Sequence, residues 1–248
     1  MVDGAGWHPL RAELHRWQQT GRVADLWLRD DDAVEPTAPL DRLLTLTGSH
    51  AVPATLAVIP AGAKLALSDR IASETGVTVA VHGWAHTNHA PAEEKKQELG
   101  RHRLTEQVLT ELAEAKSVID RLFGERALLM LVPPWNRIDN TLLPSLANLG
   151  FAALSVHGRA KPAPIHIINT HVDLIDWHAG RTCRDHAALV NELAGELSWR
   201  LETGSTEPIG ILAHHLVHDQ EAWRFLQELF EALAGNPACR WVSARDLM

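Results

Sequence analysis

Apolar and polar positions along this 248-residue chain switch repeatedly between helical spacing and short, continuously apolar runs. Trp7, Leu10, Leu14 and Trp17 recur three and four residues apart, which predicts a helix ended by Gly21. Residues 23–28 predict a strand that leads straight into Arg29-Asp30-Asp31-Asp32. Residues 39–47 predict a helix, and 52–59 and 77–81 two more strands, the second ending at His82. A long amphipathic helix follows, with Leu99, Leu104, Val108, Leu112, Ala115, Ile119 and Leu122 along one face. A strand over 127–132 is closed by Pro133-Pro134, and a helix over 142–149 stops at Gly150. Strands are predicted over 151–156 and 165–168, a helix over 187–201, and a strand over 208–213 that ends at His214-His215. A helix over 221–233 and a short strand over 240–243 close the pattern.

Strands that are apolar throughout, alternating with helices, predict a parallel α/β sheet covered by those helices. Seven or eight such units in this length predict a distorted, TIM-barrel-like (β/α) barrel. No linker, repeat or low-complexity tract interrupts it, so one domain is expected over 1–248, with 1–21 as an N-terminal helical extension.

Composition narrows the function. Hydrophobic residues make up 46% and charged residues 22%, enough for a full core without staples. The formal net charge of −8 excludes a nucleic-acid surface, which needs clustered Lys and Arg. Cys183 and Cys239 lie too far apart to suggest a disulfide framework or zinc knuckle. No apolar stretch reaches membrane-spanning length, and the N-terminal residues lack a basic leader with an apolar core. A cytoplasmic protein is expected. With 15 His, position must decide which ones matter.

Position does. Asp31 and Asp32 end the first strand, His82 the third, Pro133-Pro134-Trp135 a later one and His214-His215 the penultimate one. In a parallel barrel those ends share the face on which active sites are built. His82 and His86, four residues apart, add two imidazoles to a carboxylate. That set suits zinc or another first-row metal with a position left for water. Each motif alone has a plainer reading: paired loop histidines, or an Asp run as a solvated turn or helix cap. Strand alternation puts Arg29 and Asp31 on one side and Asp30 and Asp32 on the other.

In this order the motifs resemble those of the polysaccharide deacetylase superfamily, from about Trp27 to Arg240-Trp241-Val242-Ser243. The resemblance implies Asp31 as general base and Asp32, His82 and His86 as metal ligands. It implies that the backbone N–H of Trp135 serves the oxyanion. Asp173 and Trp177 match a D-x-x-x-W motif, which implies that Asp173 orients the catalytic histidine. Leu212-Ala213-His214 matches the last motif and makes His214, rather than His215, the general acid. Leu212 and Trp177 would line the acyl pocket. The chain departs from the pattern at Ala33 in place of glycine, at Trp135-Asn136 in place of Tyr-Gly, and at His214-His215 in place of His-Asp. Val132 stands where an arginine usually braces the base. Arg29 is the expected replacement, with Arg137 as the alternative.

The implied activity is metal-dependent removal of an N-acyl group, N-acetyl above all, from an amino sugar or glycan precursor. The implied cofactor is one divalent ion, zinc first and cobalt, manganese or nickel as alternatives. A cytoplasmic enzyme would meet a soluble oligosaccharide or a sugar carried on a nucleotide or lipid. The rival readings are hydrolysis of a formamide or ureide on the same fold, and an inactive carbohydrate-binding relative.

Overall fold

The computed structural model describes residues 5–248. Its strands are β1 (Ala24–Ala33), β2 (Ala54–Val58), β3 (Val77–His82), β4 (Ala127–Val132), β5 (Ala153–Leu154), β6 (His166–Ile167), β7 (Val172–Asp173), β8 (Ile175–Asp176), β9 (Thr182–Cys183), β10 (Ile209–Ala213) and β11 (Cys239–Trp241). Its α-helices are α1 (His8–Thr20), α2 (Ala38–Ser49), α3 (Leu65–Ile71), α4 (Thr105–Phe123), α5 (Leu143–Leu146), α6 (His186–Thr203) and α7 (Gln220–Leu233). The chain forms two compact units, each assembled from separate stretches. The first takes residues up to Asp30, 37–54 and 170–247; the second takes 31–36 and 55–169.

In the first unit β10 lies parallel to β1, with Asp30 opposite Ala213, and β7 lies parallel to β10, with Asp173 opposite Leu212. β11 pairs with β1 near its start, at Ala24 to Leu26. Leu26, Trp27 and Leu28 are all buried, so the strand is covered on both faces, as its unbroken apolar run requires. Helix α7 turns Phe225, Leu226, Leu229, Phe230 and Leu233 inward; burying each such side chain contributes about 1.5–3 kcal/mol. Asp185 and Asp219 start α6 and α7 by accepting the N–H of Ala188 and Ala222, the usual N-cap arrangement. The antiparallel pair β8–β9 frames the turn that carries Trp177.

In the second unit β2 to β6 follow one another in spatial order. The parallel registers of the last four place His82 opposite Val132, Leu131 opposite Leu154, and Leu154 opposite Ile167. Helix α4 packs its stripe of Val108, Leu112, Ala115, Ile119 and Phe123 inward.

Several elements differ from expectation. β1 continues through the aspartates to Ala33, because Asp30 gains a buried partner that lets a carboxylate stay in the strand. Helix α4 begins at Thr105 rather than Leu99, whose backbone instead bridges to Ile138. The helix predicted over 142–149 is split into 3-10 and α pieces. Strands β7, β8 and β9 and helix α3 are additions; two-residue strands carry too little periodicity to be read. No described helix is long and apolar enough to cross a membrane.

Candidate functional site

Asp32, His82 and His86 come together in the second unit, one ligand-capable atom from each lying within 4.8 Å of the others. Asp32 Oδ1 is 3.1 Å from His82 Nε2 and 3.4 Å from His86 Nε2. A tetrahedral ion with bonds of about 2.0–2.1 Å has ligand–ligand edges of about 3.3–3.4 Å. The three residues therefore fit a first-row divalent ion in both donor type and spacing. His82 Nδ1 lies 2.9 Å from the carbonyl of Val132, and donating there fixes the tautomer that leaves Nε2 a free lone pair. Val132 lacks the arginine side chain of the family pattern, yet its backbone carbonyl holds the His82 ring.

The carboxylates and imidazoles tune one another. Burial acts to lower the His82 pKa, but the charges of Asp31 and Asp32 outweigh it and the net shift is upward. His86 shifts downward through burial and the neighbouring charge of His82, which keeps it neutral and ready to coordinate.

The backbone around this cluster is unusual. Asp32, His86, Trp135 and Asn136 have φ of 77°, 55°, 55° and 56°, in the left-handed region that non-glycine residues avoid. Such strain persists only where surrounding structure holds it and concentrates at functional sites. Asn tolerates that region better than most residues, so Asn136 serves where the family has glycine. The positive φ of Asp32 also breaks the alternation expected along β1. The Trp135 ring lies 4.3 Å from that of His86, centroid to centroid.

The residue that the sequence pattern missed is Glu98. It is 1% exposed, and its carboxylate accepts the N–H of Trp84 (2.9 Å), Ala85 (2.8 Å) and Thr87 (3.1 Å). One buried anion thus holds the whole loop between the two histidines. Gly83, with φ of 59°, closes the arrangement: a Cβ there would sit 2.1 Å from Glu98 Oε2 and 2.6 Å from Pro134. A lone Glu in a polar stretch gives no periodic signal, so only the fold reveals it.

Asp31 and Arg137 lie in the second unit, and the first holds Arg29, Asp173, Trp177, Leu212, His214 and His215. His215 is fully enclosed, its Nδ1 bonded to Asp30 Oδ2 and its backbone N–H to Asp30 Oδ1 at 2.8 Å. Burial acts to raise the Asp30 pKa, but the charge and hydrogen bond of His215, with lesser help from His218 and His214, bring it below the ordinary carboxylate value. His214 is slightly more exposed, at 8%, and its backbone N–H donates to His218 Nε2 at 3.2 Å. Burial, opposed by Asp30, brings His218 down to about 4.

The Asp173 carboxylate accepts from the Ile175 N–H (3.0 Å) and the Trp177 indole (2.8 Å), and Trp177 meets His214 edge-on at 4.6 Å. Trp177 is 40% exposed, whereas Leu212 has no exposed surface. Only Trp177 can therefore touch a ligand without rearrangement. Arg29 is fully buried in β1, opposite Leu212. Arg137 donates to the Lys96 carbonyl at 2.9 Å.

No curated protein matches this chain. Among solved structures it is similar to the peptidoglycan deacetylase PdaC from Bacillus subtilis, with 16% identity over 92% of this chain and 91% of that one and a TM-score of 0.58. It is similar to a family 4 carbohydrate esterase from Streptomyces lividans in complex with acetate (17%, 86% and 90%, TM-score 0.57). It is also similar to a family 4 acetyl xylan esterase from Clostridium thermocellum in complex with a cobalt ion (16%, 90% and 89%, TM-score 0.52). At such identities the likeness is one of fold, and it bears out the parallel, barrel-like α/β class expected from the sequence. The family described as polysaccharide deacetylase matches residues 25–154. That stretch is just over half of the chain and contains the aspartates, the histidine pair and the proline-aromatic turn, so this chain belongs to the polysaccharide deacetylase family.

Proposed function

We propose that this protein is a metal-dependent hydrolase that removes an N-acetyl group from an amino sugar or glycan precursor. The observation that carries the reading is the Asp32–His82–His86 cluster, whose 3.1 and 3.4 Å spacings match a tetrahedral ion's edges. Two imidazoles and one carboxylate suit zinc, with cobalt close behind.

A divalent ion held there supplies Lewis acidity toward the amide carbonyl and its attacking water. Asp31, next in the chain to a ligand, accepts the proton that the water gives up. The Trp135 N–H, carried on the strained turn, donates to the carbonyl oxygen as it gains negative charge. His214 passes a proton to the departing amine, so the leaving group departs neutral. Trp177 orients the His214 ring through their edge contact, and Asp173 acts through Trp177. Arg29, the buried cation two residues before Asp31, takes the part of the arginine missing at Val132.

The test is release of acetate from chitooligosaccharides by the protein loaded with zinc or cobalt, with formate and ammonia measured in parallel. Acetate release that disappears with a chelator and returns with the metal supports the reading. Formate or ammonia without acetate would replace it with formamide or ureide hydrolysis, and full metal binding without turnover would replace it with a binding role.

A further inference from the structure

A cavity of about 890 Å³ opens in the second unit, lined in part by Asn136 and Arg137, the two residues that follow Trp135. Its volume suits a ligand of sugar or nucleotide size. The protein as a whole carries 31 acidic against 23 basic side chains. The lining reverses that balance: Lys95, Arg137, Arg159 and Lys161 face it, against the single acid Glu94. Glu94 also contacts His102, at 3.2 Å.

The walls are fixed in place. Asn169 is buried; its amide donates to the Gly158 carbonyl at 2.6 Å and its oxygen accepts the Val156 N–H at 2.9 Å. That holds the turn that presents Arg159. The opposite wall is tied by the Arg137 bond to the Lys96 carbonyl and by the Asp139 N–H to the Leu99 carbonyl at 2.8 Å. Leu154 and Ile167 give the cavity an apolar floor. Lys95 and Lys161 have no hydrogen bond or ion pair among the described residues. In an acidic protein, a pre-built concave surface with four cations beside the catalytic turn has a use only if an anion arrives there.

We propose that this cavity is an anion subsite, and that the substrate is an N-acetylated amino sugar bearing a phosphate or diphosphate. The proposal rests on the deacetylase reading and adds the substrate's charge to it. Two guanidiniums and two ammoniums match the doubly charged, many-oxygened phosphate better than a single carboxylate. The apolar floor takes the sugar or carrier face, and Trp135 joins this cavity to the metal cluster through its ring contact with His86.

The experiment has a binding arm and a turnover arm. Calorimetry with inorganic pyrophosphate is expected to show salt-dependent binding that the Lys95→Glu/Lys161→Glu variant weakens at least tenfold and His82→Ala leaves in place. Absence of pyrophosphate binding, or binding lost in His82→Ala but kept in the lysine variant, overturns the subsite, because the anion would then sit on the metal. For turnover, acetate release is compared on N-acetylglucosamine 1-phosphate, UDP-N-acetylglucosamine, prenyl-diphosphate-linked N-acetylglucosamine in micelles, and neutral chitotetraose. The lysine variant should lose at least tenfold more kcat/KM on the phosphorylated substrates, through KM, than on chitotetraose. The soluble and micellar diphosphates identify the carrier. An equal loss on charged and neutral sugars overturns the proposal. If no N-acetylated sugar releases acetate, the deacetylase reading falls and the calorimetry still decides the subsite.

Discussion

Asp30 and His215 form a fully buried carboxylate–imidazole pair, with the His215 backbone N–H closing a second bond to the same carboxylate. The neighbouring aspartates at 31 and 32 belong to a different unit. Three consecutive carboxylates thus have separate tasks, and the first of them is to hold the strand and the turn after β10.

Asp30→Asn should therefore destabilise the protein by about 3–5 kcal/mol, the usual cost of leaving one partner of a buried pair uncompensated. The Asp30 carboxyl sits below its ordinary value when folded. Its stabilising contribution is present above about pH 4 and fades as pH falls through the lower folded value. Urea melts of wild type and variant at pH 7 and pH 3 should show the difference shrinking at the lower pH; a constant difference would reject the pairing.

His218 acts in the same direction but in a higher pH window. Its neutral form is favoured in the fold, with a pKa of about 4, against about 6.5 when unfolded. The unfolded chain therefore binds the extra proton first, and stability drops as pH goes from about 6.5 toward 4. Replacing it by Asn should flatten that part of the stability curve. An unchanged slope in thermal melts across this window would rule out the depressed value.

His214→Ala and His215→Ala should separate activity from stability. The first is expected to lower kcat roughly a hundredfold or more with little change in Tm. The second strands Asp30 and should lower Tm first, with activity following the folded fraction. A stable His215→Ala protein that has lost turnover would transfer the acid role to His215.

His82→Ala or His86→Ala should each remove most bound divalent ion while the fold stays intact by circular dichroism. Because the His82 pKa is raised, protons compete with the ion for its ring, and affinity should fall as pH drops. Elemental analysis of the variants and proton release during calorimetric titration check both points. Stoichiometric metal in either variant would refute the ligand assignment.

Glu98→Gln leaves a buried backbone N–H facing the NH2 group of the amide, which cannot accept it, at a cost of about 1–3 kcal/mol. Metal affinity should weaken ten- to a hundredfold, as for other groups that orient ligands. Gly83→Ala should do at least as much, since its Cβ meets the same carboxylate. Equilibrium dialysis at fixed pH decides, and wild-type affinity in Glu98→Gln would show that the loop holds itself.

The parts of this protein written in contiguous residues were legible in the sequence. The spans of α6 and α7, the apolar runs of β2, β3 and β10, and the His82/His86 spacing all fall where the pattern puts them. Partnerships that only the fold creates were not. Asp30 looks like its two neighbours until His215 arrives from 185 residues away. Glu98 looks solvated until the loop wraps around it, and the Trp177 indole bond to Asp173 appears only when the turn after β8 folds back. Left-handed backbone at Asp32 could not be read at all, since alternation assumes ordinary strand geometry.

The single carboxylate of Glu98 under the 84–87 loop has a kinetic consequence. Three amides that share one acceptor cannot fray one by one, because each is freed only when the loop lifts off the anion. The amides of Trp84, Ala85 and Thr87 then exchange with solvent through one common opening, and His86, a ligand in the proposed site, rides on the same motion. The lifetime of the bound ion and the exchange clock of those three amides are two readings of one latch.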